Sequence, residues 1–155
     1  MKIGMVIFSH TGHTWEVAEK LKKRLEQDKH KVTLERLMVK GGYQTNMQTV
    51  EFEKLPDLSK FDGLVVGAPV MAFGLCPPMK QYLGQMGRLD GKKVACLTTE
   101  YFPYKWLGGN NAVRRMRQAC LAAGGTVLAG DVVNWGRKDR DRRIDDVVEK
   151  ISVCF

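Results

Sequence analysis

No apolar stretch in this 155-residue chain comes near the roughly 20 residues that a membrane span needs. Cysteine is sparse and scattered. Cys76, Cys96, Cys120 and Cys154 form no CxxC pair, and none of the three histidines stands at ligand spacing from them, so a metal centre is disfavoured, while a disulfide framework is disfavoured by the cytoplasmic setting expected below. Three of the cysteines sit in apolar patterns. Cys76, just ahead of Pro77 and Pro78, is the one expected to be exposed. Carboxylates are short relative to cations, 17 Asp and Glu against 25 Lys and Arg, for a net charge of +8. Such a surface suits acidic partners, anionic membrane surfaces or nucleic acid, and equally serves solubility alone. Internal repeats, linkers and low-complexity segments are absent, and the length suits one domain. The start, "MKIGMVIFS", has the charge and apolar run of a secretory signal, but it is short, lacks a small-residue cleavage site and runs straight into a polar turn. A cytoplasmic protein is expected.

What is present is an alternation of strand and helix from end to end. Ile3–Phe8 is a continuous apolar run, as in a strand buried on both faces. Val17, Ala18, Leu21 and Leu25 then form one stripe of a helix spanning about Thr14 to Gln27. Lys31–Leu37 alternates, as an edge strand does. Residues 38–60 are poorly patterned, and a short helix or a loop covering one sheet edge would fit them. Gly63–Val70 is a second buried strand. Met79, Tyr82, Leu83 and Met86 make a helical stripe behind Pro77 and Pro78. "KKVACLTT" is a strand, a helix carries Val113, Met116 and Cys120, Gly124 and Gly125 end it, and "TVLAGDVVNW" is the last strand. Ile144, Val147, Val148 and Ile151 form the final helical stripe. Five strands alternating with helices predict an α/β fold, a parallel sheet with helices on both faces.

Ligands bind such sheets outside the carboxyl ends of the strands. Three loops there carry unusual chemistry. "SHTGHT", Ser9–Thr14, joins the first strand to the first helix. A helix N-terminus offers free N–H groups and partial positive charge, Gly12 allows close approach, and Ser9, Thr11 and Thr14 add hydroxyls, so an anion could be held here without a cationic side chain. An ordinary capped turn explains the same residues as well. No GxxxxGK[ST] or GxGxxG stands at this turn, which disfavours a P-loop nucleotidase and a dinucleotide-binding turn. In "PVMAFGLCPP", Met71, Phe73 and Leu75 are apolar where a loop is usually polar, and Gly74 could permit an unusual peptide orientation. In "TTEYFPYKWLGGNN", Tyr101, Phe102, Tyr104 and Trp106 place four rings within six residues, suited to stacking on a planar ligand. Gly108 and Gly109 give flexibility or close approach.

These segments, in this order, resemble the flavodoxin-like family over nearly the whole chain. "SHTGHT" is similar to the family's T/S-x-T-G-x-T phosphate loop, "PDLSKFDGLVVGAPV" to its approach to the third strand, and "GGNNAVRRMRQACLAAGG" to the helix after the fourth. The resemblance implies a three-layer short-chain flavodoxin fold with strand order 2-1-3-4-5, and FMN held without a covalent bond. Ser9, Thr11, Gly12, His13 and Thr14 would wrap the phosphate, with His10 at a more exposed position; partial protonation of the histidines would strengthen binding at low pH. Pro69, Val70, Met71, Ala72, Phe73 and Gly74 would face the isoalloxazine, with the Phe73–Gly74 peptide the candidate for a flip on reduction. Thr98, Thr99, Glu100, Tyr101, Tyr104, Gly108 and Gly109 would supply its other face, with Tyr101 or Tyr104 stacking. Electron transfer to a redox partner protein is the function implied. Family carriers are often acidic, so the +8 charge points to an acidic partner instead. An FMN-dependent reductase of quinones using NAD(P)H, often a dimer, is the alternative, and a cofactor-free binding module a further one. Nucleic-acid binding through Arg114, Arg115 and Arg117 is disfavoured, since phosphate contacts alone would be nonspecific and salt-sensitive.

Overall fold

In the computed structural model, which describes residues 1–155, the apolar runs become strands because helices cover both faces of one sheet. Strand β1 (Lys2–Ile7) lies between β2 (Lys31–Arg36) and β3 (Gly63–Met71); β5 (Lys93–Glu100) and β6 (Thr126–Asn134) follow beyond β3. All these pairings are parallel. The five long strands therefore take the order expected from the sequence. The addition is β4 (Gly74–Leu75), which folds back antiparallel on the end of β3. Chain order reverses between β1 and β3, so a crevice opens at their carboxyl ends.

Helices α1 (His13–Gln27) and α4 (Arg140–Ser152) pack on one face. Val17, Ala18, Leu21 and Leu25 meet Ile144, Val147 and Ile151 there, over Ile3, Met5 and Ile7. A Leu buried completely, as Leu21 and Leu25 are, contributes about 2 kcal/mol. Helices α2 (Pro77–Gln85) and α3 (Gly109–Ala122) cover the other face through Met79, Tyr82, Ala112, Met116 and Cys120. No helix is long and apolar enough to cross a membrane.

Residues 38–60 form no helix and lie on a face rather than along an edge. Val39 bridges Phe52, and Leu37, Val39, Val50, Leu58 and Phe61 bury themselves beside α2. Gln81 pins this connection by pairing its side-chain amide with both the N–H and the carbonyl of Val50. Cys76, expected to be exposed, is buried instead. It precedes α2 with no exposed surface, and burial pushes its thiol up to about 12. The half-exposed cysteine is Cys154, held by the last turn of the chain.

Candidate functional site

The chain leaves β1 at Ile7, and the Phe8 N–H still donates to Gly67 O, 2.9 Å away. The turn that follows is only partly capped. Ser9, buried, accepts the Trp15 N–H at Oγ (3.3 Å), and Gly12 O accepts the Glu16 N–H (3.0 Å). The N–H groups of Thr11, Gly12, His13 and Thr14 have no acceptor within the chain. Gly12 has φ +95°, and nothing lies within 4 Å of the position a Cβ would take, so ligand space opens beside it. These donors follow one another at the positive end of a 15-residue helix, with no carboxylate among residues 9–15, and they suit a dianion.

The tertiary structure adds what the loop's own sequence omits. Arg36, paired with Ile7 in register, donates to Ser9 O (3.2 Å). His13 stacks on Trp135 at 4.0 Å with the rings 10° apart, and the Arg140 guanidinium lies 4.6 Å from the same indole. Burial, then Arg140, lowers the His13 pKa below that of free imidazole. The His13 imidazole is therefore harder to protonate than a free one. Arg36 and Arg140 were missed because each lies on an element distant in sequence. The register of a parallel β1–β2 pair was the only signal for Arg36, which ends its strand beside the loop.

Thr14 is buried and faces inward, its Oγ1 2.8 Å from Thr99 Oγ1. One hydroxyl donates to the other, and the accepting one keeps a proton to give elsewhere. Thr98 is committed as well, donating to Ala68 O at 2.6 Å. Glu100 is buried and holds the third loop closed: its carboxylate accepts from the Gly109 N–H (3.0 Å) and from Asn134 Nδ2 (2.9 Å). Burial raises its pKa, and these two bonds pull it back. Thr98 thus ties β5 to β3, and Glu100 anchors the loop, each through bonds made inside the chain.

The second loop is a two-residue hairpin. Met71 pairs with Gly74 across Ala72 (φ 48°) and Phe73 (φ 61°), both left-handed, which costs about 1 kcal/mol for each. The central peptide of the turn is therefore Ala72–Phe73, and the Phe73–Gly74 peptide follows it. Gly74 has an ordinary φ and admits Asn111, whose Nδ2 would sit 3.2 Å from a Cβ there. Gly108 (φ 125°) lets the third loop press on the second, since its Cβ would stand 2.7 Å from Val70 Cγ1 and 2.8 Å from the Phe73 backbone. Pro69 and Val70 are half-buried beneath this contact.

Rings bridge the two loops. Phe102 stacks on Phe73 at 5.6 Å and 12°, Tyr101 meets Phe102 edge-on, and Tyr104 stacks on Trp106. Tyr101 and Trp106 remain 72% exposed and Phe73 60%, an arrangement of apolar rings open to a flat ligand. Phe102 belongs to the ring cluster that the sequence marks, whereas Tyr43 was not suspected at all. Tyr43 reaches in from the 38–60 connection, edge-on to Phe8 and His10 at 5.3 Å, and its hydroxyl donates to Met71 Sδ.

Asp131 ties the third loop to the sheet and α4. Its carboxylate receives Lys105 (2.5 Å), Arg143 (2.9 Å), Lys150 (3.0 Å) and the Val132 N–H (2.8 Å). Burial pushes its pKa up, but Lys105, the Val132 N–H and Lys150 outweigh it and hold the group at about 2. A depressed carboxylate contributes stability above its unfolded pKa, here about 2 kcal/mol, and that is lost as pH falls from about 4 towards 2. Asp131→Asn is expected to lower stability at pH 7 by about that amount and to flatten acid unfolding, as read by urea denaturation across that pH range. An unaltered acid limb would show that the three cations do not act on this group.

No protein-family profile and no curated protein matches the sequence, but solved structures match its fold. A flavodoxin of Streptococcus pneumoniae TIGR4 superposes with a TM-score of 0.69 at 15% identity, covering 100% of each chain. An oxidised flavodoxin of Bacillus cereus gives 0.72 at 16%, over 99% of this chain and 96% of that one. A short-chain flavodoxin associated with a non-canonical PDU bacterial microcompartment gives 0.68 at 20%, over 100% and 99%. With the strand order, the helices on both faces and the crevice above β1 and β3, these likenesses establish that the chain has the flavodoxin-like fold from end to end.

Proposed function

We propose that the chain is a one-domain, cytoplasmic electron carrier that binds FMN non-covalently. The observation that carries this reading is the cradle before α1. Four unpaired N–H groups, with Arg36 and Arg140 near, match a phosphate dianion, and the exposed rings of the two neighbouring loops match a flat heterocycle. The neighbours in fold are described as flavodoxins, which supports the same cofactor. Residues Ser9–Thr14 would hold the phosphate, the Met71–Gly74 hairpin and the Tyr101–Gly109 loop would border the ring, and Thr99 would steady the cradle through Thr14. When bound, FMN supplies the redox chemistry. The protein's part is to position it, to keep water from its inner face and to aim the backbone of the Ala72–Phe73 turn at its edge. The buried carboxylate of Glu100 is spent on Gly109 and Asn134, so no side chain here is assigned as acid, base or nucleophile.

Titration of the flavin-free protein with FMN, followed by quenching of flavin fluorescence, tests the reading. One FMN per chain is expected, with riboflavin, which lacks the phosphate, bound at least about a hundredfold more weakly because the charge-assisted bonds are lost. Equal affinity for the two would remove the phosphate from the cradle, and no binding would remove the cofactor. The partner protein is read as acidic, from the positive surface.

A further inference from the structure

The positive charge is unevenly placed. Helices α2 and α3 carry Lys80, Arg114, Arg115 and Arg117 and not one carboxylate. By contrast α4 interleaves its cations with Asp141, Asp145, Asp146 and Glu149. Lys80, Arg114 and Arg115 are exposed and take part in none of the chain's ion pairs. They rim one open groove of about 820 Å³ between the two helices. Its floor is apolar or small: Leu75, Leu83, Gly84, Ala119 and Ala122. No aromatic ring lines it, so nothing there would stack on a base. Leu75, Lys80 and Arg115 also border a second cleft, of about 520 Å³, that reaches Ala72 and Phe73. The groove at the far ends of α2 and α3 thus adjoins a cleft that reaches the hairpin at the candidate flavin site.

We propose that this groove seats an acidic amphipathic helix of a partner protein. Its apolar face would meet the leucine and alanine floor, and its carboxylates would meet Lys80, Arg114 and Arg115. Small floor residues let a third helix approach closely, and an apolar stripe flanked by charges is the pattern by which helices enter grooves. A bare polyanion would leave the apolar floor uncovered, and a nucleic acid would find no ring to stack on. The charge and shape stand without a flavin. That a partner docked here exchanges electrons rests on the FMN reading, because only then does the adjoining cleft at Ala72 and Phe73 border a redox centre.

The test uses the full chain, isotopically labelled, and a synthetic helix with leucines at every third and fourth position and glutamates elsewhere. Its lysine counterpart is the control. Amide shifts upon titration are expected at Lys80–Gly87 and Arg114–Ala123 with the glutamate helix, and none with the lysine helix. Arg114→Glu with Arg115→Glu, both at exposed positions, is expected to weaken binding by about tenfold and to reduce its salt dependence. Shifts centred on residues 137–150, equal binding of the lysine helix, or affinity untouched by the double variant would each overturn the proposal. FMN affinity of the same proteins, measured separately, keeps the two readings apart. Loss of peptide binding with FMN binding intact is the expected signature of the double variant, whereas a wild type that binds the peptide but not FMN would overturn the flavin reading alone.

Discussion

Replacing Thr14 with leucine is expected to weaken FMN binding by about a hundredfold or more. Thr14 is 1% exposed, in the first turn of α1, and its hydroxyl meets Thr99 at 2.8 Å. Leucine removes that bond and strands a buried hydroxyl, at about 1–3 kcal/mol. It also forces extra atoms into a filled site, at about 1–3 kcal/mol more. Both costs fall on the backbone that carries the unpaired N–H groups, so the cradle loses the fixed arrangement that a dianion needs. Thr11→Leu is the companion variant: Thr11 is exposed, and leucine there costs no packing, so a loss of about tenfold is expected, from the missing hydroxyl contact alone. The readout is FMN titration by fluorescence, with circular dichroism to show that the fold persists. Riboflavin, bound by its ring alone, should lose far less affinity than FMN in the Thr14 variant. Unchanged FMN affinity would mean that the phosphate binds elsewhere.

The second large effect is on stability. Gly108→Val should destabilise the flavin-free protein by about 3 kcal/mol, the sum of left-handed strain and overpacking. A side chain there would collide with Val70 and with the Phe73 backbone, so the second and third loops would part. For a chain of this length the melting temperature should fall by roughly 10 °C. Gly12→Ala provides the contrast. Its φ is also positive, at 95°, yet the space around it is open, so strain alone applies and about 1 kcal/mol is expected. Thermal unfolding of the two variants separates conformation from close approach. Equal losses would mean that the contact of Gly108 with the hairpin carries no weight.

Much of the fold was legible because each element announces itself locally. Ile3–Phe8 and Gly63–Val70 are unbroken apolar runs, which only a strand covered on both faces requires. The stripe of Val17, Leu21 and Leu25 needs only the helical period, and Pro77 and Gly124 mark a start and an end that backbone chemistry dictates. The boundaries shifted by a residue or two, as at Ile7 and Met71, where the last hydrogen bonds of a strand depend on its neighbours. Residues 38–60 were illegible for a physical reason. Val39, Val50 and Leu58 are spaced by no period, since a loop pinned by Gln81 buries side chains wherever it happens to touch the sheet.

The site divides in the same way. The sequence by itself determined that a polar, glycine-bearing turn without cations lies between a buried strand and a helix, and that rings crowd the loop before α3. Those are properties of contiguous residues. Only the tertiary structure decided which of those residues face outward. Glu100 and Thr98 turn into the chain because Gly109, Asn134 and Ala68 offer them partners there, while Phe73 and Tyr101 are left in solvent. It alone brought Arg36, Arg140, Trp135 and Tyr43 to the turn, across strands and connections far apart in sequence, and it alone gathered Lys80, Arg114 and Arg115 along one groove. A carboxylate's partner, a histidine's proton affinity and a cation's isolation are all sums over neighbours in space, and those neighbours exist only once the sheet has set its order.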